Sequence, residues 1–211
     1  MANRLYSMGV QKYRNNFELT IHPDVLSDPY KWKRPRIIFV NSMSDLFHED
    51  MPFEYIEKVF KVMNECSHHI FQVLTKRAEN LAEFAPLLNW SKNIWMGVTV
   101  ESKEYLPRIK LLQTINAHIK FLSIEPMLGS MQNLNLSGID WVIVGGESGP
   151  GARDIKKEWV VDIKNQCELN DVAFFFKQWG GFNKKTRGRI LNGKVWDQMP
   201  SLQKPVESLF A

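Results

Sequence analysis

Cysteine is scarce in this sequence. The 211 residues include two cysteines, Cys66 and Cys167, which lie far apart in the chain. Neither belongs to a CxxC motif or to a Cys/His ligand cluster, so a disulfide framework is excluded. A chain without structural disulfides is typical of a reducing compartment, and we therefore expect a cytoplasmic protein.

Long apolar runs are absent as well. No stretch reaches about 18 consecutive apolar residues, the length that a membrane-spanning helix needs. The first residues, MANRLYSMGVQKYRNN, are polar and contain no apolar segment of the kind found in secretory signal peptides. The sequence therefore predicts neither a membrane partner nor secretion.

Several well-known functional motifs are also missing. The sequence has no GxSxG nucleophile motif and no pairing of Cys with His that suits a nucleophile. Its glycine-rich stretch GESGPGAR, residues 146–153, matches neither the GxGxxG dinucleotide signature nor the GxxxxGKS or GxxxxGKT phosphate loop. No ligand spacing indicates a metal site. Function therefore has to be inferred from the way side chains group in the fold.

The chain carries a small excess of positive charge. The formal net charge is +4 with a pI near 9.0, and the lysines and arginines are spread along the chain. One dense basic group stands near the C-terminus, formed by Lys184, Lys185, Arg187 and Arg189. Such a group permits a nucleic-acid partner, but a solvated tail has the same composition, so both interpretations stay open.

Six short apolar runs recur through the chain. They lie at 37–40, 70–74, 94–98, 119–124, 141–144 and 172–176. Nearly continuous apolar runs are typical of strands that are buried on both faces of a parallel sheet. Helical patterns separate them at 52–64, 76–88, 103–112 and 158–169, while 127–138 has the pattern of a loop. The alternation predicts a parallel α/β fold in one domain, residues 1–200, followed by a tail at 201–211.

Polar or charged residues follow each apolar run. Those of interest are Asn41, Ser42, Ser44, Asp45, Lys76, Arg77, Thr99, Glu101, Glu125, Gly145, Gly146, Glu147, Ser148, Lys177 and Trp179. Because the carboxyl ends of parallel strands lie at one edge of a sheet, these side chains are predicted to form one polar site. Helix capping is the alternative role for Ser44, Asp45, Ser102 and Ser148, but capping does not account for the charged members.

The residue types allow several chemistries. Three carboxylates, from Glu101, Glu125 and Glu147, stand beside cations, among them Arg153 at the end of GESGPGAR. This mixture suits acid–base catalysis or the recognition of an amino acid or a nucleoside. The glycines before Glu147 allow a ligand to approach the backbone closely. Trp179 is a candidate for stacking on a base, with core packing as the alternative.

Long ordered motifs carry a resemblance to a known family. They are FVNSMSDLFHED (39–50), FQVLTKR (71–77), WMGVTVE (95–101), FLSIEPMLG (121–129), DWVIVGGESGPGAR (140–153) and FFFKQWGG (174–181). Together they resemble a phage-associated family of unknown function, phage gp thirty-seven/sixty-eight, from the first residues to about Pro200. That family is similar to radical S-adenosylmethionine enzymes.

The resemblance implies a partial (β/α) barrel that binds S-adenosylmethionine. Members normally begin with a strand and a loop whose three cysteines hold a [4Fe–4S] cluster. This chain has no such loop, and Cys66 and Cys167 match none of the three. We therefore expect the first βα unit to be missing and the chain to be inactive in radical chemistry. Two explanations fit this difference: an N-terminally truncated sequence and a natural variant without the cluster. Truncation would leave the strand at 36–40 as an unpaired edge of the sheet.

The resemblance also implies roles for the strand-end residues. It implies that Asn41, Ser42 and Ser44 lie near the methionine moiety and that Thr99 and Glu101 face the ribose. Glu125 and Glu147 would meet the substrate or the methionine ammonium, and Lys177 and Arg153 an anionic group. Gly145 and Gly146 complete the cofactor set, and Asp45, Lys76, Arg77, Ser148 and Trp179 the substrate set. Family members are often encoded beside a partner protein named for its three-cysteine motif, so a protein partner is expected.

Two other functions remain open from the residues alone. One is a non-redox barrel enzyme that uses the strand-end carboxylates, and the other is a nucleic-acid- or protein-binding module that uses the basic residues at 184–189.

Overall fold

The computed structural model describes residues 6–9, 15, 18–41, 44–182 and 187–201. The chain divides into two compact units. The first comprises Met1–Val98 with Thr114–His118, and the second comprises Thr99–Gln113 with Ile119–Ala211. Among the described residues, no helix is both long enough and apolar enough to span a membrane.

The first unit alternates strands and helices. Two short helices, α1 (Pro23–Leu26) and α2 (Asp28–Lys31), precede strand β1 (Ile37–Val40). The chain then forms α3 (Phe53–Glu65), β2 (Ile70–Thr75), α4 (Ala78–Phe84) with a 3₁₀ turn at Ala85–Leu87, and β3 (Ile94–Thr99). Strand β2 pairs in parallel with β1 and with β3.

Helix α3 shows how the sequence pattern becomes packing. Apolar residues at spacings of three and four give it one apolar face, and Ile56, Val59, Phe60 and Met63 on that face are buried. The Phe60 ring packs edge-on against Phe47 and Trp90. Burying an aromatic ring of this kind stabilises the fold by about 2 kcal/mol.

The second unit repeats the pattern. A 3₁₀ turn (Lys103–Tyr105) and α5 (Pro107–Gln113) belong to it, with β4 (Ile119–Ile124), β5 (Trp141–Gly145), α6 (Lys157–Leu169) and β6 (Ala173–Gln178). Strand β5 pairs in parallel with β4 and β6, and its pairing with β6 shifts register at Val144/Gly145. A two-stranded antiparallel hairpin, β7 (Ile190–Leu191) and β8 (Lys194–Val195), follows.

The predicted fold class is confirmed. The described residues contain six parallel strands in chain order, β1 to β6, with helices in four of the five connections, which is the succession of a partial (β/α) barrel. The segment 127–138 is a loop, as its pattern predicted. The prediction of one domain over residues 1–200 stays a prediction, and most of the predicted tail lies outside the described residues.

Three details differ from the expectation. Each of the helices predicted at 76–88 and 103–112 is split into an α-helix and a 3₁₀ turn, with Pro86 and Pro107 near the junctions. The hairpin β7–β8 was not predicted. Strand β1 is not buried on both faces, because Ile37 is 54% exposed and Phe39 44% exposed.

Candidate functional site

The strand-end residues of the first unit gather around Asp45. One carboxylate oxygen of Asp45 accepts hydrogen bonds from Thr75 Oγ1 at 2.6 Å and from the Phe47 N–H at 3.0 Å. The other accepts from the Lys76 N–H at 2.9 Å and from Arg77 Nη1 at 3.4 Å. Asp45 therefore fastens the loop after β1 to the end of β2, which is a structural role.

Arg77 links this loop to a second carboxylate. Its Nε donates to Glu49 Oε1 at 3.3 Å. A backbone hydrogen bond within Glu49, with a contribution from Arg77, lowers the pKa of the exposed Glu49 carboxyl. Lys76 is exposed beside this pair. The first unit thus presents one ammonium and one guanidinium near the end of β2.

The remaining predicted residues of this unit are less constrained. Asn41 follows β1 in the left-handed region, with φ +55°, and its carbonyl accepts a hydrogen bond from the N–H of the exposed Ser44 at 3.1 Å. Ser42 lies outside the described residues. The predicted role of Asn41 and Ser44 near a methionine moiety stays a prediction.

Glu101 forms a nearly buried ion pair in the second unit. Its Oε2 accepts from Arg108 Nη1 at 3.1 Å, and the same Nη1 donates to the Thr99 carbonyl at 2.8 Å. The Arg108 guanidinium also lies over the Tyr105 ring, 4.1 Å from its centre. Thr99 and Glu101 are both buried, so their predicted contact with a ribose stays a prediction. Arg108 was not predicted, although it lies in the first turn of α5, seven residues after Glu101.

Four residues at the ends of β4, β5 and β6 form the most complete polar group, which we call the β4–β6 cluster: Glu125, Ser148, Lys177 and Gln178. Lys177 Nζ lies 2.7 Å from Glu125 Oε2. Gln178 Nε2 donates to Ser148 Oγ at 2.9 Å and to the Gly146 carbonyl at 3.2 Å, and it lies 3.4 Å from Glu125 Oε1.

Gln178 is the unusual member of this cluster. It is 6% exposed, and its Oε1 atom has no hydrogen-bond partner among the described residues. The oxygen atoms of Glu125 and Gly146 accept hydrogen bonds from this side chain, so the amide atom that faces them is the donor Nε2. Oε1 is therefore the atom that lacks a hydrogen-bond donor. A buried acceptor without a donor costs about 1–3 kcal/mol, and native proteins normally supply a protein, water or ligand donor for such an atom.

Sequence reasoning missed Gln178. The site residues predicted at this strand end are its neighbours, the charged Lys177 and the aromatic Trp179. The available signal was alternation: in AFFFKQ, Phe174, Phe176 and Gln178 share one face of β6, and all three are buried. An amide at the end of a buried apolar face is the kind of group that needs a specific partner.

The GESGPGAR stretch is held together by its own charges. The Arg153 guanidinium donates from Nε and Nη2 to the two oxygens of Glu147, at 2.8 and 2.9 Å, and the Arg153 N–H adds a third bond at 2.9 Å. The Arg153 side chain is the main cause that lowers the pKa of Glu147 to about 2. Glu147 is therefore ionised and already bound at neutral pH.

The glycines of this stretch pack against another loop. The Gly146 N–H donates to the Gln178 carbonyl at 2.9 Å, and the Gly181 N–H donates to the Glu147 carbonyl at 2.7 Å. A Cβ atom added to Gly146 would lie 2.1 Å from the Trp179 carbonyl oxygen. A Cβ at Gly145 would lie 3.0 Å from Glu125 Oε1. The backbone contact at Gly146 requires glycine for packing, whereas the contact at Gly145 is with a side chain that can move. A close approach to a ligand stays a prediction.

Trp179 packs against its own strand and the hairpin that follows it. Its ring packs edge-on against Phe176, with 4.7 Å between ring centres, and its Nε1 donates to the Ile190 carbonyl at 2.9 Å. The indole therefore anchors the β7–β8 hairpin. Of the predicted basic group, Arg187 pairs with Asp154 at 2.5 Å and Arg189 lies over the Phe175 ring, whereas Lys184 and Lys185 lie outside the described residues.

The cysteines do not fit a three-cysteine iron–sulfur cluster. The chain has two cysteines in all, and such a cluster takes three thiolates. Both are buried, and burial raises the pKa of Cys66 and raises that of Cys167 to about 12, so both stay as thiols. Within the described ranges, no group of three or more His, Cys, Asp or Glu residues is placed to hold a metal ion.

The fold and these contacts define a parallel α/β protein with paired charges at the carboxyl ends of its strands. The chain belongs to the family described as Protein of unknown function (DUF5131), whose profile matches residues 1–200. Comparison with curated proteins and with solved structures finds no match. The likeness to phage gp thirty-seven/sixty-eight and to radical S-adenosylmethionine enzymes stays a prediction.

Proposed function

We propose that the second unit binds S-adenosylmethionine through its amino-acid end at the β4–β6 cluster. The observation that carries the proposal is the unpaired, buried Gln178 Oε1 beside a carboxylate and an ammonium. An α-amino acid offers the complementary groups, since its ammonium needs acceptors and its carboxylate needs a cation. Glu125 and Gln178 Oε1 are assigned to the ammonium, and Lys177 to the carboxylate.

The existing Glu125–Lys177 pair is weak enough for such a ligand to replace it. The two side chains are 21% and 46% exposed, and a pair this exposed contributes about 0–1 kcal/mol. A zwitterion that contacts both charges therefore replaces one weak interaction with two. It also supplies a donor for Gln178 Oε1, which relieves an unsatisfied acceptor. The carboxylate of Glu125 further favours a ligand that carries a sulfonium.

The proposal is limited to binding. S-adenosylmethionine brings a sulfonium whose carbon–sulfur bonds are activated for transfer or cleavage, but the two cysteines of this chain do not supply a three-thiolate cluster. The remaining side chains hold the ligand and neutralise its charges. A hydrolytic role for the carboxylates has weaker support, because Glu101, Glu125 and Glu147 are each bound to a cation.

Isothermal titration calorimetry of the purified chain with S-adenosylmethionine tests the proposal. S-adenosylhomocysteine and methionine share the amino-acid end and are expected to compete, whereas adenosine is expected to compete weakly. Lys177→Met is expected to weaken binding about tenfold or more, because a charge-assisted hydrogen bond is lost. Lys110→Met removes an exposed lysine of α5 and serves as the control. Absence of binding, or equal affinity in both variants, would reject the proposal.

A further inference from the structure

Strand β1 has a free, apolar edge in the first unit. Its one partner among the described residues is β2. Arg36 uses its backbone on the β2 side, since its N–H donates to His69 Nδ1 at 3.2 Å and its carbonyl accepts from Ile70 at 2.8 Å. Alternation along the strand therefore turns the N–H and C=O groups of Ile37 and Phe39 to the outside.

The same two residues expose apolar side chains. Ile37 and Phe39 lie on one face of β1 and are about half exposed, whereas Ile38 and Val40 on the other face are partly covered. Natural sheets protect an edge of this kind with lysine or proline inside the strand. The segment IIFV contains neither, and among the residues that the structure describes no strand other than β2 pairs with it.

The segments that flank β1 carry opposite charges. Lys33, Arg34 and Arg36 before the strand are exposed and basic. The segment after it contains Asp45, Glu49 and Asp50 and no lysine or arginine. Asp45 is held at the end of β2, whereas Glu49 and Asp50 are exposed. Arg77 neutralises part of this charge through Asp45 and Glu49, and His48 lies 3.7 Å from Asp50. Asp50 stays largely exposed.

We propose that β1 is the interface of a symmetric dimer, in which a second copy of this chain adds its own β1 in antiparallel orientation. Antiparallel pairing about a two-fold axis at Ile38 places Ile37 opposite Phe39 of the second copy, so that each exchanges its outward backbone hydrogen bonds with the other. It also brings the basic segment of one copy to the end of β1 at which the other copy exposes Glu49 and Asp50. A parallel neighbour would place like charges together, which disfavours that alternative.

Four residues per strand make a small interface. We therefore expect a weak dimer that dissociates between about 10 micromolar and about 1 millimolar, below the range of standard-sized interfaces. Its dissociation constant is expected to rise with salt, because part of the attraction joins exposed charges.

Sedimentation equilibrium of the full chain over this concentration range tests the dimer. Phe39→Lys places a charge on the apolar face and is expected to raise the dissociation constant on the order of tenfold. Ile37→Pro removes an outward N–H while leaving the hydrogen bonds to β2 in place, so it provides a second test if the first variant folds poorly. Circular dichroism checks folding. Phe182→Lys changes an aromatic residue that is 80% exposed in the second unit and is the control.

The outcomes separate clearly. Loss of the dimer in both β1 variants, with the control unchanged, supports the proposal. A monomer at every concentration overturns it. A dimer that survives both β1 substitutions, or one that Phe182→Lys also removes, places the interface elsewhere and overturns it as well.

Discussion

At the scale of single residues, the carboxylates at the strand ends are distinguished by their partners. Glu101 is held by Arg108, Glu125 by Lys177 and Glu147 by Arg153. Sequence position predicted the carboxylates, but it did not predict which cation each would meet. Lys177 is 52 residues away from Glu125, and only the parallel arrangement of β4, β5 and β6 brings the two together.

The Glu147–Arg153 pair predicts a response to acid. The folded-state pKa of Glu147, about 2, lies below its ordinary value of 4.5, so the pair stabilises the loop fully above pH 4.5. That contribution is lost as the pH falls from 4.5 toward 2. Carbon-detected NMR titration of the Glu147 carboxyl group is expected to give the low pKa, and Arg153→Gln is expected to return it toward 4.5. An unchanged pKa in that variant would contradict the assigned cause.

The Glu101–Arg108 pair predicts a loss of stability. Arg108→Met leaves the nearly buried Glu101 carboxylate without its guanidinium, and we expect the free energy of unfolding to fall by about 3 kcal/mol. Urea denaturation measures the change. Lys110→Met, on the exposed side of α5, is the matched control and is expected to stay within about 0.5 kcal/mol of the parent. A fall of less than about 1 kcal/mol for Arg108→Met would show that water replaces the guanidinium.

At the scale of elements, the apolar runs located the strands well. Strands β1 and β4 have the predicted bounds, and β2, β3 and β5 extend one residue further. Apolar runs are informative because a parallel strand buries both faces. The hairpin β7–β8 was missed because its strands have two residues each, although Asn192–Gly193 is a strong turn signal and both residues have positive φ.

The contact between the loops after β5 and β6 gives a prediction for an element. Gly146→Ala places a methyl group 2.1 Å from the Trp179 carbonyl oxygen, so the two loops have to separate. We expect the free energy of unfolding to fall by more than about 2 kcal/mol. Gly129→Ala is the control, because a Cβ there meets no atom within 4 Å. Equal stability of the two variants, measured by urea denaturation, would contradict the packing role of Gly146.

At the scale of the whole molecule, the sequence predicted the fold class better than the site. The alternation of apolar runs with helical patterns predicts a parallel α/β architecture, and both units have it. The site depended on partners that lie far apart in the sequence and on the buried amide of Gln178, which composition does not mark. The two-cysteine count, in contrast, is visible in the sequence alone and is one thiolate short of a three-cysteine cluster.

The central claim is that the β4–β6 cluster receives the amino-acid end of S-adenosylmethionine, and the side-chain amide of Gln178 reports on it directly. Its NMR signals can be assigned by their loss in Gln178→Leu, in a chain of 24.6 kDa. Titration with S-adenosylmethionine is expected to shift these signals, and methionine is expected to shift them in the same direction. Binding of S-adenosylmethionine that leaves the Gln178 amide signals unmoved would contradict the account.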